Sequence, residues 1–273
     1  MKRFFLVFIL IFLGTSSSLL AFTYQPQKPF PGSPLLFEVS EEVEKIRFLG
    51  REFYPFSFKG KIYILAAIPL EVKPGRYRAF LLGKQESFLE IQVFSKKYPT
   101  EHLTVPSRMI HYPPEVLARI KKEVHLIRET VSGFSPQSYL DGPFVWPATG
   151  RISSPFGFRR VYNGVPKSPH SGLDIALPES TPIKAANRGR VVLVGDFYLN
   201  GKTVILDHGL GIYTVYCHLK EILVHEGEVI VKGETIALSG KSGRVTGPHL
   251  HFGVYIRGVK VDPKVVLEVF DAL

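Results

Sequence analysis

From Pro143 onward, glycine cuts the chain into short apolar stretches and so limits what that half can become. Gly150, Gly157, Gly164, Gly172, Gly189, Gly195, Gly201, Gly209, Gly211, Gly227, Gly233, Gly240, Gly243, Gly247 and Gly253 bound segments such as Val191–Val194, Thr203–Leu206, Ile212–Cys217 and His249–Tyr255. Segments this short, β-branched and flanked by turn-tolerant residues read as strands. The spacing predicts an all-β domain over residues 143–273, made of tight turns and antiparallel strands.

The preceding half has the same character without the histidines. Leu35–Val39, Ile46–Phe48, Glu52–Phe58, Ile62–Ile68, Tyr77–Leu82 and Ser87–Phe94 are aromatic and β-branched, and Gly50-Arg51, Lys59-Gly60-Lys61, Pro74-Gly75 and Gly83-Lys84 separate them. Strands repeating at about ten residues with no helical pattern between them predict a small immunoglobulin-like β-sandwich. This half carries no catalytic constellation. A helix is expected next, opened by Pro113-Pro114 and closed by Gly133, since proline suits a first helical turn. Val116, Leu117, Ile120, Val124, Ile127 and Val131 form its apolar stripe, with Arg119, Lys121, Lys122 and Arg128 off it. The pattern is that of a connector helix packed on one of the domains.

A length of 273 residues fits two domains. With 45% apolar and 21% charged residues the chain can bury real cores, and disorder is excluded. Its single cysteine rules out an intramolecular disulfide and a thiolate zinc cluster, so a metal would need histidines and carboxylates. Lys2-Arg3, the apolar run Phe4–Leu13 and the small residues up to Ala21 read as a secretory signal peptide cut after Ser18 or Ala21. Retention as an anchor is the alternative, although the apolar run is short for a permanent span. The expected organisation is a signal peptide at 1–21, a β-sandwich at 22–97, a linker with an amphipathic helix at 98–142, and a catalytic domain at 143–273.

Export sets the surroundings. Without residues 1–21 the formal charge falls from +10 to +8, divided evenly between residues 22–142 and 143–273. A diffuse positive excess favours polyanionic surroundings by steering, which for an exported protein means wall polymers or lipid headgroups and not nucleic acid. The expected location is the periplasm or cell envelope, with no stable membrane span after cleavage.

Three segments hold the unusual chemistry: His170-Ser171-Gly172-Leu173-Asp174, Tyr216-Cys217-His218-Leu219 and Thr246-Gly247-Pro248-His249-Leu250-His251-Phe252. Side chains at i and i+2 of a strand share a face, so His249 and His251 project together while Leu250 and Phe252 turn to a buried side. A hydrolytic zinc commonly takes three N/O ligands and leaves a position for water. Four histidines and Asp174 exceed that set by two, and the surplus imidazoles suit proton transfer or stabilisation of an oxyanion. Spacing alone does not separate ligands from catalysts. His102, His111, His125 and His225 read as ordinary polar residues and His208 as a turn residue. Cys217, alternating with His218, reads as a small buried hydrophobe pointing away from the site.

Taken in order, these segments resemble the lysostaphin-type (LytM) zinc endopeptidases that hydrolyse peptidoglycan. The resemblance runs through Ser154-Pro155-Phe156-Gly157-Phe158-Arg159, His170–Ala176, Pro182–Gly189, Val204–Gly211, Tyr216–Leu219, Gly227–Gly233 and Gly240–Val254. It departs at Leu199-Asn200-Gly201-Lys202 and Ser180-Thr181-Pro182, outside the key positions. The resemblance implies one Zn2+ per chain held by His170, Asp174 and His251, with His218 and His249 as catalytic imidazoles. One would activate the attacking water and the other stabilise charge on the tetrahedral intermediate. It further implies a secreted endopeptidase cutting stem peptides or cross-bridges, peptidoglycan as partner, and a regulatory envelope protein as a second partner. The alternatives are a non-catalytic wall-binding or amidase-activating protein, and a zinc amidase cutting the sugar–peptide bond. Arg159, Arg160, Lys167, Lys241 and Arg244 flank the motifs as candidate contacts for substrate carboxylates.

Overall fold

A computed structural model describes residues 22–106, 111–271 and 273. The expected signal peptide lies outside these residues. Among them, no helix is long and apolar enough to cross a membrane.

The first eight strands are β1 (Thr23–Gln25), β2 (Pro34–Val39), β3 (Val43–Phe48), β4 (Arg51–Phe53), β5 (Pro55–Phe58), β6 (Lys61–Ala67), β7 (Gly75–Gly83) and β8 (Ser87–Val93). They form two antiparallel sheets, ordered β1-β2-β6-β5 and β4-β3-β7-β8. Phe37, Ile46, Phe48, Phe53, Ile64, Leu81 and Leu89, all at most 2% exposed, fill one core cluster between them. The run Glu52–Phe58, expected as one strand, divides at Tyr54, and its halves join opposite sheets. Pro55 lacks the N–H needed to continue the β3–β4 ladder, so the chain changes sheet there.

After the sandwich comes a strand that the sequence does not announce, β9 (Thr100–Leu103), and then the helix α1 (Pro114–Ser132), flanked by Pro113 and Gly133 as expected. The helix lies on a large sheet of the C-terminal half. Its Val131 is buried with Leu193, Phe197, Ile205, Tyr213, Val215 and Cys217. Leu117 and Val124 of the expected stripe remain about 40% exposed, so only the C-terminal end of the stripe is packed.

The remaining strands are β10 (Arg151–Ser154), β11 (Arg159–Tyr162), β12 (Val165–Pro166), β13 (Leu173–Ala176), β14 (Pro182–Lys184), β15 (Gly189–Phe197), β16 (Gly201–Asp207), β17 (Ile212–Ile222), β18 (Val229–Ile230), β19 (Thr235–Ser239), β20 (His249–Ile256) and β21 (Val259–Val261), followed by helix α2 (Pro263–Phe270). Ten of them make one sheet with the main path β10-β13-β20-β17-β16-β15-β18, while β12-β11-β9 form a separate three-stranded sheet. Helix α2 is capped by Asp262, whose side chain accepts from the Lys264 N–H. Phe270 of α2 stacks on Phe56 of the sandwich, centroids 5.9 Å apart, and meets Phe144 edge-on at 5.0 Å. The buried residues of the sandwich and of the large sheet thus belong to one continuous cluster.

His208, expected at a turn, does follow the end of β16, but its ring is fully buried. Nδ1 donates to the Arg188 carbonyl at 2.7 Å, and Nε2 accepts from the Thr214 hydroxyl at 2.7 Å. Burial pushes its pKa down to about 4 from 6.5. Below pH ~6.5 the unfolded chain therefore binds a proton that the folded chain refuses, and stability is lost as pH falls from there towards 4. At one pKa unit per 1.36 kcal/mol, the loss is roughly 3 kcal/mol. Urea midpoints of His208→Gln should fall less between pH ~7 and ~4.5 than those of the wild type. Parallel pH profiles for the two proteins would exclude His208 as the source.

Candidate metal centre

The site is assembled by the register of two strands. In the antiparallel β13–β20 pair, Leu173 faces Phe252, Asp174 faces His251 and Ile175 faces Leu250. Paired side chains lie on the same side of a sheet. Leu173, Ile175, Leu250 and Phe252 therefore enter the core, each at most 1% exposed, and Asp174 and His251 meet on the other face. His170 comes from the loop before β13. Gly172 lets that loop lie against β20, because a Cβ there would collide with the Phe252 carbonyl and crowd the His251 ring at 3.0 Å.

Three donor atoms converge. His170 Nε2 lies 2.9 Å from Asp174 Oδ1, His251 Nδ1 lies 2.8 Å from the same oxygen, and the two nitrogens are 3.0 Å apart. His170 Nδ1 donates to the Pro155 carbonyl at 2.9 Å. In a neutral imidazole that leaves Nε2 as a lone pair, directed at an anionic oxygen and a second ring nitrogen. Three donor atoms this close can converge on one cation, and two imidazoles with one carboxylate form a ligand set suited to zinc. The residues fit the metal. Burial by itself would raise the Asp174 pKa, but the His170 and His251 rings hold its carboxyl well below the usual carboxylate range. Burial pushes His251 down, against the pull of Asp174, and so favours the neutral ligand form.

His218 reaches this face by an irregularity. Cys217 pairs with His251, so strict alternation would turn His218 towards the opposite side. Between β16 and β17, however, the pairing moves from Val204↔Tyr216 to Lys202↔Leu219, leaving Cys217 and His218 opposite one residue. This is a β-bulge, and His218 adopts a left-handed φ of 64°. Bulges next to functional sites re-aim side chains. The His218 ring centroid lies 4.7 Å from that of His249 and 6.1 Å from that of His251. Its Nδ1 donates to the Ser242 carbonyl at 3.0 Å, and His249 Nδ1 donates to the Gly247 carbonyl at 2.9 Å. Each ring thereby keeps Nε2 for chemistry; that of His249 is 3.9 Å from Asp174 Oδ1. Burial, with His251 and His249 nearby, pushes the His218 pKa down to about 3.

All five residues singled out in the sequence thus meet in one place. His102, His111, His125 and His225 are exposed. The expectation for Cys217 needs correction. It is fully buried, and burial pushes its thiol up to about 11, but it shares the sheet face of His251 and does not point away. The bulge is the reason. Arg160, expected to face substrate, instead donates from Nη2 to Asp174 Oδ2 at 3.0 Å. Lys241 pairs with Glu179 at 2.9 Å, and Arg244 donates to the Tyr112 hydroxyl at 2.9 Å. Adjacent basic residues do not reveal in the sequence which of them turns inward.

A two-histidine, one-carboxylate triad on an antiparallel sheet, faced by two further imidazoles, defines a metallohydrolase. The family model of peptidase family M23 matches residues 168–263, which contain every one of these five residues. A crystal structure from Pseudomonas aeruginosa assigned to peptidase M23 is 32% identical, with a TM-score of 0.72, covering 89% of this chain and 96% of that one. The chain belongs to peptidase family M23. Among curated proteins it is similar to peptidoglycan DD-endopeptidase ShyA of Vibrio cholerae, 42% identical over 113 residues, which are 41% of this chain and 26% of that protein. DD-carboxypeptidase/endopeptidase Mpg of Neisseria meningitidis is 40% identical over 113 residues, also 26% of its length. The matched stretch spans about a quarter of these curated relatives.

Proposed function

We propose that the chain is an exported, zinc-dependent peptidoglycan endopeptidase that hydrolyses peptide bonds in stem peptides or cross-bridges. The observation that carries this reading is the convergence of His170 Nε2, Asp174 Oδ1 and His251 Nδ1 within 3.0 Å of one another, beside His218 and His249. The peptidoglycan substrate is supported by the names of ShyA and Mpg. His170, Asp174 and His251 would hold one zinc ion. Bound there, zinc supplies Lewis acidity towards water and the scissile carbonyl. His218 and His249, each anchored through Nδ1, would offer the Nε2 lone pair to take a proton from the attacking water. Once protonated, they would donate from Nε2 to the developing oxyanion and hand the proton to the leaving amine. Burial keeps the His218 ring neutral well into the acid range.

The same reading assigns residues 22–97 to the sandwich, 98–142 to the linker and 143–273 to the catalytic domain. It places the protein in the periplasm or cell envelope, where a regulatory envelope protein is a further partner. Digestion of purified sacculi, with mass spectrometry of the products, tests the activity. New free amines within peptides are the expected result. Cuts at the lactyl–peptide bond would replace the reading by an amidase, and absence of products by a wall-binding or amidase-activating role.

A further inference from the structure

The metal triad has a support that begins outside the M23 match. In the three-stranded sheet, β11 runs parallel to β9, and Arg160 is the direct partner of Glu101. Cross-strand partners project to the same side, which places Glu101 Oε2 3.7 Å from Arg160 Nε. That Nε is buried and makes no hydrogen bond of its own. From the other end of the guanidinium, Nη2 donates to Ser154 Oγ at 2.8 Å and to Asp174 Oδ2 at 3.0 Å. With Oδ2 engaged, the Asp174 carboxylate presents Oδ1 alone to His170 and His251.

Strand β9 is held firmly enough to transmit this arrangement. The Arg159 N–H donates to the Pro99 carbonyl at 2.9 Å, and the Asn163 N–H donates to the Leu103 carbonyl at 3.0 Å. Just beyond β9, the Asn163 side-chain amide bonds both backbone groups of Val105, at 2.9 and 2.8 Å. The charges alternate along the path: Glu101 negative, Arg160 positive, Asp174 negative. A planar guanidinium suits this task, because its donors are fixed relative to one another.

We infer that Glu101 and Arg160 form a positioning relay through which the linker strand β9 orients Asp174 for metal binding. The relay rests on the metal-centre reading above. Glu101 acts in two ways that agree in sign. It anchors the guanidinium, and it offsets a positive charge that would otherwise face the bound cation. Arg160 acts by orientation, as outer-shell partners of metal ligands generally do, at ~10–100-fold in affinity when removed.

The test uses the full chain, with Zn2+ affinity measured by competition against a chelating dye and the visible absorption of the Co2+-loaded protein recorded alongside. Arg160→Gln should weaken Zn2+ binding by ~10-fold and alter the cobalt bands, with Arg160→Lys intermediate. Glu101→Gln should weaken binding by ~3-fold in the wild-type background and have no effect in the Arg160→Gln background, because its influence passes through Arg160. A merely structural role would not produce that dependence. The Glu101 side chain is about one-third exposed, so its variant tests the relay without endangering the fold. Unchanged affinity and cobalt spectra in Arg160→Gln and Glu101→Gln, with wild type binding one Zn2+ and Asp174→Asn failing to, would overturn the relay alone. Wild type that takes up no Zn2+ would overturn the metal-centre reading and the relay with it.

Discussion

His218→Ala and His249→Ala should each retain bound metal and lose turnover by ~10²–10⁴-fold, the usual range for a removed acid–base group. Neither ring belongs to the triangle of His170, Asp174 and His251. Each is tethered through Nδ1 to a backbone carbonyl, Ser242 for His218 and Gly247 for His249. Removing either ring therefore leaves the three donors and their spacing intact. His218 carries a structural cost that His249 does not: its left-handed φ of 64° is unfavourable for any residue with a Cβ. His218→Gly should thus match the alanine variant in lost turnover while melting at the same temperature or higher, since glycine adopts that φ freely. Metal content by elemental analysis, together with single-turnover rates, decides the matter. Metal loss in His249→Ala with metal retained in His251→Ala would exchange the roles of those two residues.

Asp174→Ala and His251→Ala should lose the metal. Asp174 is the hub of the site: Oδ1 lies within 3 Å of both His170 Nε2 and His251 Nδ1, while Oδ2 meets Arg160. Its removal takes one of three donors and also leaves the Arg160 guanidinium, about one-fifth exposed, without its carboxylate. A largely buried charge left with only the 3.7 Å pairing to Glu101 is costly. Asp174→Ala should accordingly be less stable than His251→Ala, which leaves the Arg160–Asp174 pair in place. Thermal melts with and without Zn2+ separate the two contributions: added zinc should raise the melting temperature of the wild type by mass action and leave both variants unmoved. A zinc-dependent shift retained in Asp174→Ala would remove Asp174 from the ligand set.

Acid should act on the same centre. Ligand imidazoles must be neutral to bind a metal, and burial favours the neutral form of His251. Metal release thus belongs to more acidic pH than an exposed histidine would predict.

The glycine punctuation and β-branched strands of the sequence were enough to indicate two β-rich halves, and Pro113-Pro114 with Gly133 marked α1 closely, because these signals act through local backbone preference. The i, i+2 spacing of His249 and His251 put both on one face because alternation is built into any strand. Sequence order also sufficed to collect the five site residues through their resemblance to a known family. Other features depended on partners distant in the chain. The division of Glu52–Phe58 between two sheets, the bulge that turns His218 into the site, and the place of Cys217 on the same face all depend on which strand lies alongside and in what register. Pairing register is a tertiary quantity, set by burial across strands that no single segment contains. For the same reason Arg160, one of two adjacent arginines, could be assigned to Asp174 only once the strands were in place, with Arg160 beside Glu101 of β9 and its Nη2 on Asp174 Oδ2.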